Sequence, residues 1–318
     1  MKQIRSSENE QKPLKKTLLH RLNEDKWYLL FILPAVIYLV AFVYRPMCGI
    51  LMAFQNYRIG DPILAFDGTV KWVGFDHFKS FISSIFFKRI LTNTVRLSLE
   101  TLVFSCWIPL AVALLLNEIR LSFVKRTYQA IYYMPYFIST AVIVSIITLM
   151  CGINGPLALI STQLTGEAKN YLNDPKAFDF IYVASGIWQT FGYSSIIYMA
   201  GISGINPALY EAAKVDGANR WQRMWHVTIP ALLPTFITLL ILNIGSILGS
   251  DSEKILLLYN SFTMDHADVI GTYIYRIGLV GAQYSYTTAV GLFMNVMSFC
   301  MVFIANKISR KLTDYSLW

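Results

Sequence analysis

Charge is scarce in this chain: only 14% of its 318 residues are Asp, Glu, Lys or Arg, where an ordinary soluble domain has about a quarter. With 55% hydrophobic residues and a mean hydropathy of +0.48, the composition excludes a soluble globular protein and points to an integral membrane protein. Histidine is also sparse. The four present, His20, His77, His226 and His266, have no metal-ligand spacing. The four cysteines, Cys48, Cys106, Cys151 and Cys300, lie scattered in or beside apolar runs without disulfide or metal spacing, so they read as core residues. No G-x-x-x-x-G-K-[ST] stretch occurs, so the chain lacks the usual cradle for nucleotide phosphates. No G-x-S-x-G elbow occurs either. Nothing here assembles a catalytic constellation, and the expectation is that the chain is not an enzyme. The net charge of +8 is spread along membrane flanks and forms no groove-sized patch, which argues against a nucleic-acid partner. No linker-like stretch or internal repeat divides the chain.

What the sequence does have is long apolar runs. A hydrocarbon core of about 30 Å needs roughly 20 helical residues. Runs of that order fall at Trp27–Tyr44, Leu97–Asn117, Ala130–Cys151, Phe180–Ile202, Ile229–Gly249 and Thr287–Asn306, predicting an all-α integral membrane protein with six spans. The first run follows a charged segment and has no A-x-A-like cleavage site after it, so it reads as a retained helix rather than a signal peptide. Residues 1–26 form a polar, Lys-rich tail or a surface helix, and 27–318 form the membrane domain. With the N-terminus inside, the inner segments hold 16 Lys and Arg and the outer ones 9. That bias sets both termini in the cytoplasm. The outer loop from Gln55 to Leu91 is rich in aromatics (Trp72, Phe75, Phe78, Phe81, Phe86 and Phe87) and is expected to fold against the outer helix ends.

One polar stretch is built unlike a simple connector. Asn206-Pro207 suits a helix N-cap followed by Pro at the first helical position. The chain then runs Leu209-Tyr210-Glu211-Ala212-Ala213-Lys214-Val215-Asp216, meets Gly217, and resumes as Ala218 to His226, with Pro230 opening the next apolar run. The pattern predicts helix, Gly turn, helix over 206–230, facing the cytoplasm. Ala212 and Ala213 permit close approach, Gly217 allows a sharp bend, and Glu211 and Asp216 offer charged contacts. An amphipathic helix lying on the membrane is the competing reading, but it needs no Gly at a fixed offset.

The spacing Glu211-Ala212-Ala213, three residues, Gly217, nine residues, Val227-x-Ile229-Pro230 resembles the EAA loop of bacterial ABC importer permeases. Val227 and Ile229 stand where that family usually has Ile and Leu. SGIWQTFGYSSIIYMAGISGINPALYEAAKVDGANRWQR before and through the loop, with SDSEKILLLYN, ADVIGTYIYRIGL, YSYTTAVGLF and NKISRKLTDYSLW after it, is similar to the MalF/UgpA-like carbohydrate uptake permeases and to their LplB-type subfamily. The likeness covers roughly Tyr128 to Trp318. One departure stands out: Ser252-Glu253-Lys254 occupies a place where the family tends to read F-E-Q.

The resemblance implies a type I, MetI-like fold with six transmembrane helices, in the plasma membrane of a bacterium. It implies that Glu211, Ala212, Ala213, Asp216, Gly217, Ala218, Arg220 and Pro230 belong to a coupling element that docks on a cytoplasmic ATPase dimer. ATP and Mg would then be bound by that ATPase and no cofactor by this chain. It further implies a second homologous permease subunit, an extracellular solute-binding protein, surrounding lipid and an oligosaccharide substrate. Other solutes, such as a phosphodiester, peptide or amino acid, remain open, as does a membrane enzyme or scaffold with six helices.

Sugar recognition calls for aromatic platforms and for amide or carboxylate groups. On the fourth run Trp188, Gln189 and Tyr193 supply both types, Asn243 lies near the centre of the fifth, Asn295 lies in the sixth, and Glu253 lies just outside the fifth. Each Asn could equally hydrogen-bond a neighbouring helix. Arg96 and Glu100 share a helix face at i, i+4, either pairing with each other or lining the path. Tyr132, Tyr133 and Tyr136 suit a membrane interface. Pro34, Pro109, Pro135 and Pro234 fall inside apolar runs, where they either open a cavity by kinking or only shape packing.

Overall fold

The computed structural model describes residues 26–63, 69–249, 251–313 and 315–317. Apart from Lys26, the expected N-terminal tail lies outside these residues. Apart from one isolated bridge between Gln55 and Trp72, the described residues form helices and loops.

The chain divides into two units, the first ending at Leu51. That unit contains α1 (Lys26–Leu39), a π turn (Val40–Tyr44) and α2 (Arg45–Met47). The 3₁₀ turn Cys48–Phe54 leads into the second unit, which contains α3 (Asp76–Ile82), α4 (Phe87–Asn117), α5 (Ser122–Tyr133), α6 (Thr140–Cys151), α7 (Pro156–Thr165) and α8 (Pro175–Ser203). The remainder is α9 (Pro207–Val215), α10 (Arg220–Arg223), α11 (Ile229–Gly245), α12 (Ser252–Leu258), α13 (Met264–Ala267), α14 (Ile270–Ile274) and α15 (Tyr284–Thr313).

Among the described residues, five stretches are long and apolar enough to cross a membrane: Lys26–Phe54, Phe87–Asn117, Thr140–Thr165, Arg220–Gly245 and Tyr284–Lys311. The expected span at Phe180–Ile202 lies within α8, whose 29 residues have the length. It is less apolar because it is a central helix. Its Tyr182, Gly192, Ser195 and Tyr198 are buried, and its most extensive pairing is with α4.

The expected run at Ala130–Cys151 is not one helix. Pro135 lacks the N–H that a continuing helix would use. The chain tightens into a 3₁₀ turn at Met134–Phe137 and becomes extended at Ile138 and Ser139. Ser139 then caps α6 by accepting the Val142 N–H at 3.4 Å. The amphipathic α5 is therefore separate from the span, and its Tyr132 backbone packs against Gly192 of α8.

Pro230 does not open a new helix either. A π turn, Met224–Thr228, joins α10 to α11 without a break. A proline ring clashes with the carbonyl four residues earlier, and the wider π turn moves that carbonyl aside. Pro46 has the same arrangement after Val40–Tyr44.

Three apolar clusters hold the second unit together. One joins α4, α6, α8 and α12 through Leu97, Ile143, Val183, Ile187 and Ile255. A second joins α4 and α8 to the base of α11 through Leu110, Ala113, Leu114, Tyr198, Ile202, Met224 and Leu232. In the third, Phe81 of the aromatic loop packs with Ile90, Ile270, Tyr273 and Val290, as the loop's composition suggested. Its ring meets Phe87 edge-on at 5.1 Å between centroids.

Candidate functional site: a polar cavity and an exposed helix-turn-helix

Two features of the second unit carry chemistry. The first is a cavity of about 460 Å³ bounded by α4, α8, α11 and the segment from Ser246 to Lys254. Along α4, Leu97 belongs to the first apolar cluster, Ser98, Thr101 and Ser105 face the cavity, and Leu110 to Leu114 belong to the second. Along α8, Gly186, Thr190 and Ser194 repeat the arrangement between Tyr182 and Tyr198. The i, i+3/i+4 spacing of small polar residues puts each set on one helix face. The hydroxyls of these helices thus share the wall with Leu102, Ile187, Ile197, Leu239 and Ile247. Thr101, Ser105 and Thr190 donate to carbonyls of their own helices, which leaves their oxygens free to accept from sugar hydroxyls. Sequence reasoning missed this spacing, which was readable in both runs.

Among the expected path residues, Gln189 and Asn243 line the cavity. The Gln189 amide donates to the Ile138 carbonyl at 3.1 Å, holding the break before α6. Asn243 is two residues from the end of α11, not near a span centre, because that helix begins at the π turn and stops at Gly245. Its amide points to Cys106 Sγ at 3.7 Å. Trp188, Tyr193, Asn295 and Glu253 do not line the cavity. Trp188 is half exposed, one residue of helical rotation away from Gln189. Tyr193 stacks on Tyr136, with 3.9 Å between ring centroids. Asn295 is exposed on α15.

Glu253 is exposed as well, whereas its neighbour Lys254 is buried in the cavity wall. Successive helical residues point about 100° apart, so α12 turns Lys254 inward and Glu253 outward. Asp251 caps α12 by accepting the Lys254 backbone N–H at 3.2 Å. Burial holds the Lys254 ammonium down to about 8.

Arg96 does not pair with Glu100. Its guanidinium meets Asp179 at 3.2 Å and donates to the His266 carbonyl at 2.6 Å, while His266 Nε2 lies 3.0 Å from Asp179 Oδ2. This network joins α4, α8 and α13 about one turn from the cavity, and its partners are too distant in sequence for spacing to reveal.

The second feature is residues 206–230. Asn206 Oδ1 accepts the Ala208 N–H at 3.0 Å and Pro207 opens α9. At the other end the Gly217 N–H donates to Lys214 O at 3.1 Å and the Ala218 N–H to Ala213 O at 2.9 Å, the paired bonds of a Schellman ending. Gly217 has φ +78, the left-handed region that Gly enters without strain. Asn219 and Gln222 then form a reciprocal capping box.

Two contacts tie this motif down. The Tyr210 hydroxyl meets Thr228 Oγ1 at 2.9 Å, and Met224 is part of the second apolar cluster. The rest is presented outward: Glu211, Ala212, Asp216, Arg220 and Pro230 are exposed, as are Leu209, Val215, Trp221 and Trp225. Between the limbs lies a concavity of about 340 Å³ lined by Ala213, Asp216, Gly217, Ala218, Gln222, Arg223, His226 and Val227. Glu211, Ala212, Arg220 and Pro230 lie off it. An exposed mixed apolar and charged surface on a fixed turn suits protein docking.

The sequence and fold match known proteins over nearly the whole chain. Residues 107–314 match the family described as binding-protein-dependent transport system inner membrane component. The chain is 40% identical over 298 residues to protein LplB of Bacillus subtilis, covering 93% of this chain and 92% of that one. It is 37% identical over 310 residues to the polygalacturonan/rhamnogalacturonan transport system permease protein YteP of the same organism, covering 96% and 95%. Its fold is similar, at TM-score 0.84 and 37% identity, to a chain of a bacterial ABC transporter involved in the import of the acidic polysaccharide alginate, covering 94% of this chain and 100% of the other.

Proposed function

The chain belongs to the binding-protein-dependent transport system inner membrane components, and on that premise we propose that it is the permease subunit of an ATP-driven importer carrying a polysaccharide-derived oligosaccharide into the cytoplasm. It acts as a transport subunit and not as an enzyme. The observation that carries the reading is the hydroxyl- and amide-lined cavity inside the helical bundle.

A second, homologous permease completes the path. A solute-binding protein delivers the sugar from outside, and a cytoplasmic ATPase dimer, binding ATP and Mg, docks on residues 206–230. The excess of Lys and Arg on the inner segments supports cytoplasmic termini. Glu211, Ala212, Ala213, Asp216, Gly217, Ala218 and Arg220 form the coupling surface, with Pro230 at its junction to α11. Gln189 and Asn243 contact the sugar.

Coupling follows from connectivity. The loop continues through the π turn into α11, and Met224 packs with α4 and α8. These three helices contribute cavity walls. Displacing the loop therefore moves the walls, as a hinge or shear motion does. The test is ATP-dependent uptake of oligosaccharides by proteoliposomes holding the full complex. Uptake that persists without the ATPase subunit would refute the reading.

A further inference from the structure

Lys254 is 1% exposed, lines the cavity, and its ammonium has no hydrogen-bond partner. Among the described residues no carboxylate lies within the 4.0 Å of an ion pair. The other polar lining atom left bare is Ser98 Oγ, on the facing helix α4, also buried and without a partner. A buried charge without a counter-ion costs several kcal/mol, and buried polar groups are almost always satisfied.

Among the described residues no group in the wall hydrogen-bonds the Lys254 ammonium. The Tyr182 ring stands 5.9 Å away, a distant cation–π contact that does not replace an anion. Asp251 lines the same cavity and its negative charge acts on the ammonium, but its Oδ1 accepts the Lys254 backbone N–H and it makes no direct bond to the ammonium. A Cβ at Gly186 would sit 3.6 Å from the ammonium, so that glycine keeps the space beside the charge open.

We propose that Lys254 and Ser98 form an anion subsite in the transport cavity, and that the oligosaccharide carried bears carboxylates, as uronates do. The inference rests on the importer reading above and adds the chemical class of the cargo. The uronate carboxylate accepts from the ammonium and the hydroxyl, while the remaining Ser, Thr, Gln and Asn groups serve sugar hydroxyls. A carboxylate fits better than a phosphate: the site offers a single cation, with the Asp251 carboxylate in the same wall to repel a doubly charged group, and no Arg fork lines it. Being held near 8, the ammonium still carries its charge at neutral pH.

The test uses the complete importer with its binding protein in proteoliposomes. The probes are trigalacturonate, its neutral carboxyl-reduced counterpart and a phosphorylated trisaccharide. Lys254→Gln should lower uptake of the acid relative to the neutral sugar about tenfold, the worth of one charge-assisted bond. Lys254→Arg should retain the ratio, and co-purification of the ATPase verifies assembly of both variants. An unchanged ratio in Lys254→Gln overturns the proposal, as does a wild-type importer that carries the neutral or phosphorylated sugar and refuses the uronate. Import of another class of solute, with none of the three sugars carried, removes the oligosaccharide reading itself.

Discussion

Replacing Gly217 in turn by Asn, Ala and Pro isolates the bend between α9 and α10 from everything else in the molecule. No atom lies within 4 Å of a Cβ built at this position, so a side chain meets open space and any cost comes from the backbone. At φ +78 an Ala pays about 1–2 kcal/mol for the left-handed conformation, which shifts the population of the bent loop roughly 5- to 30-fold. Asn tolerates this region better than other non-glycine residues and should fall between Gly and Ala. Pro is the extreme case: its φ is locked near −65°, and it lacks the N–H that Gly217 donates to Lys214 at 3.1 Å. The Schellman ending then cannot form. The expected order of sugar uptake and of binding-protein-stimulated ATPase activity is Gly, Asn, Ala, Pro. Thermal stability and membrane insertion should stay nearly flat, because Gly217 is exposed and outside the apolar clusters. A Pro variant that transports at the wild-type rate would refute the reasoning. So would an Ala variant whose bundle melts as early as its uptake is impaired.

Two further substitutions test the bundle. In Gly192→Ala the new Cβ would sit 2.0 Å from the Tyr132 carbonyl oxygen, a backbone atom that cannot rotate away. Overpacking of about 1–3 kcal/mol or more follows, and a monodisperse, wild-type elution profile of the purified complex would deny the close docking of α5 on α8. Lys254→Met removes the unpaired ammonium and should raise stability at pH 7. Burial lowers this group from 10.5 to about 8, which is roughly 3 kcal/mol against the charged form. Below pH 8 both folded and unfolded chains are protonated and the full penalty applies. Between 8 and 10.5 the folded chain gives up its proton first, so wild-type stability rises with pH. The advantage of the Met variant in thermal melts should therefore shrink from pH 7 to pH 10, and an equal gap at both values would contradict it.

Much of this was legible because it is local. Asn206, Pro207, Gly217 and Asn219 each act within four residues, so the caps and bend of 206–230 follow from short-range hydrogen bonding and backbone sterics. The apolar runs marked most of the long helices, but the run Ala130–Cys151 breaks at Pro135, so that the span there is Thr140–Thr165. What escaped is what depends on facing. Whether Glu253 or Lys254 enters the cavity, or Trp188 or Gln189, is a matter of helix rotation, and that is set by clusters drawing on distant residues such as Leu97, Ile143 and Ile255. The partners of Arg96 were hidden for the same reason. Glu100 was near in sequence, while Asp179 and His266 come from other helices. The stripes Ser98-Thr101-Ser105 and Gly186-Thr190-Ser194 were the available signal, since small polar residues repeating on one face of an apolar helix need a wet or polar neighbour.

The same facing bears on how the proposed docking surface outside the bundle would act on the cavity inside it. The limb of 206–230 that leads into α11 has no flexible joint, because the π turn at Met224–Thr228 keeps the chain helical past Pro230. The Tyr210 to Thr228 hydrogen bond fastens the α9 limb to that turn, so both limbs move with the base of α11. There Leu232 packs against Gly201 of α8 so closely that a Cβ on the glycine would meet it at 2.8 Å. Leu232 is itself buried in the second apolar cluster, so this close-packed contact links the base of α11 to α8. From this contact α11 continues two turns to Leu239 and three to Asn243 in the cavity wall, opposite the Ser and Thr stripes. Under the proposed coupling, a push on Glu211 and its neighbours would reach the cavity wall through α11, which packs with α4 and α8.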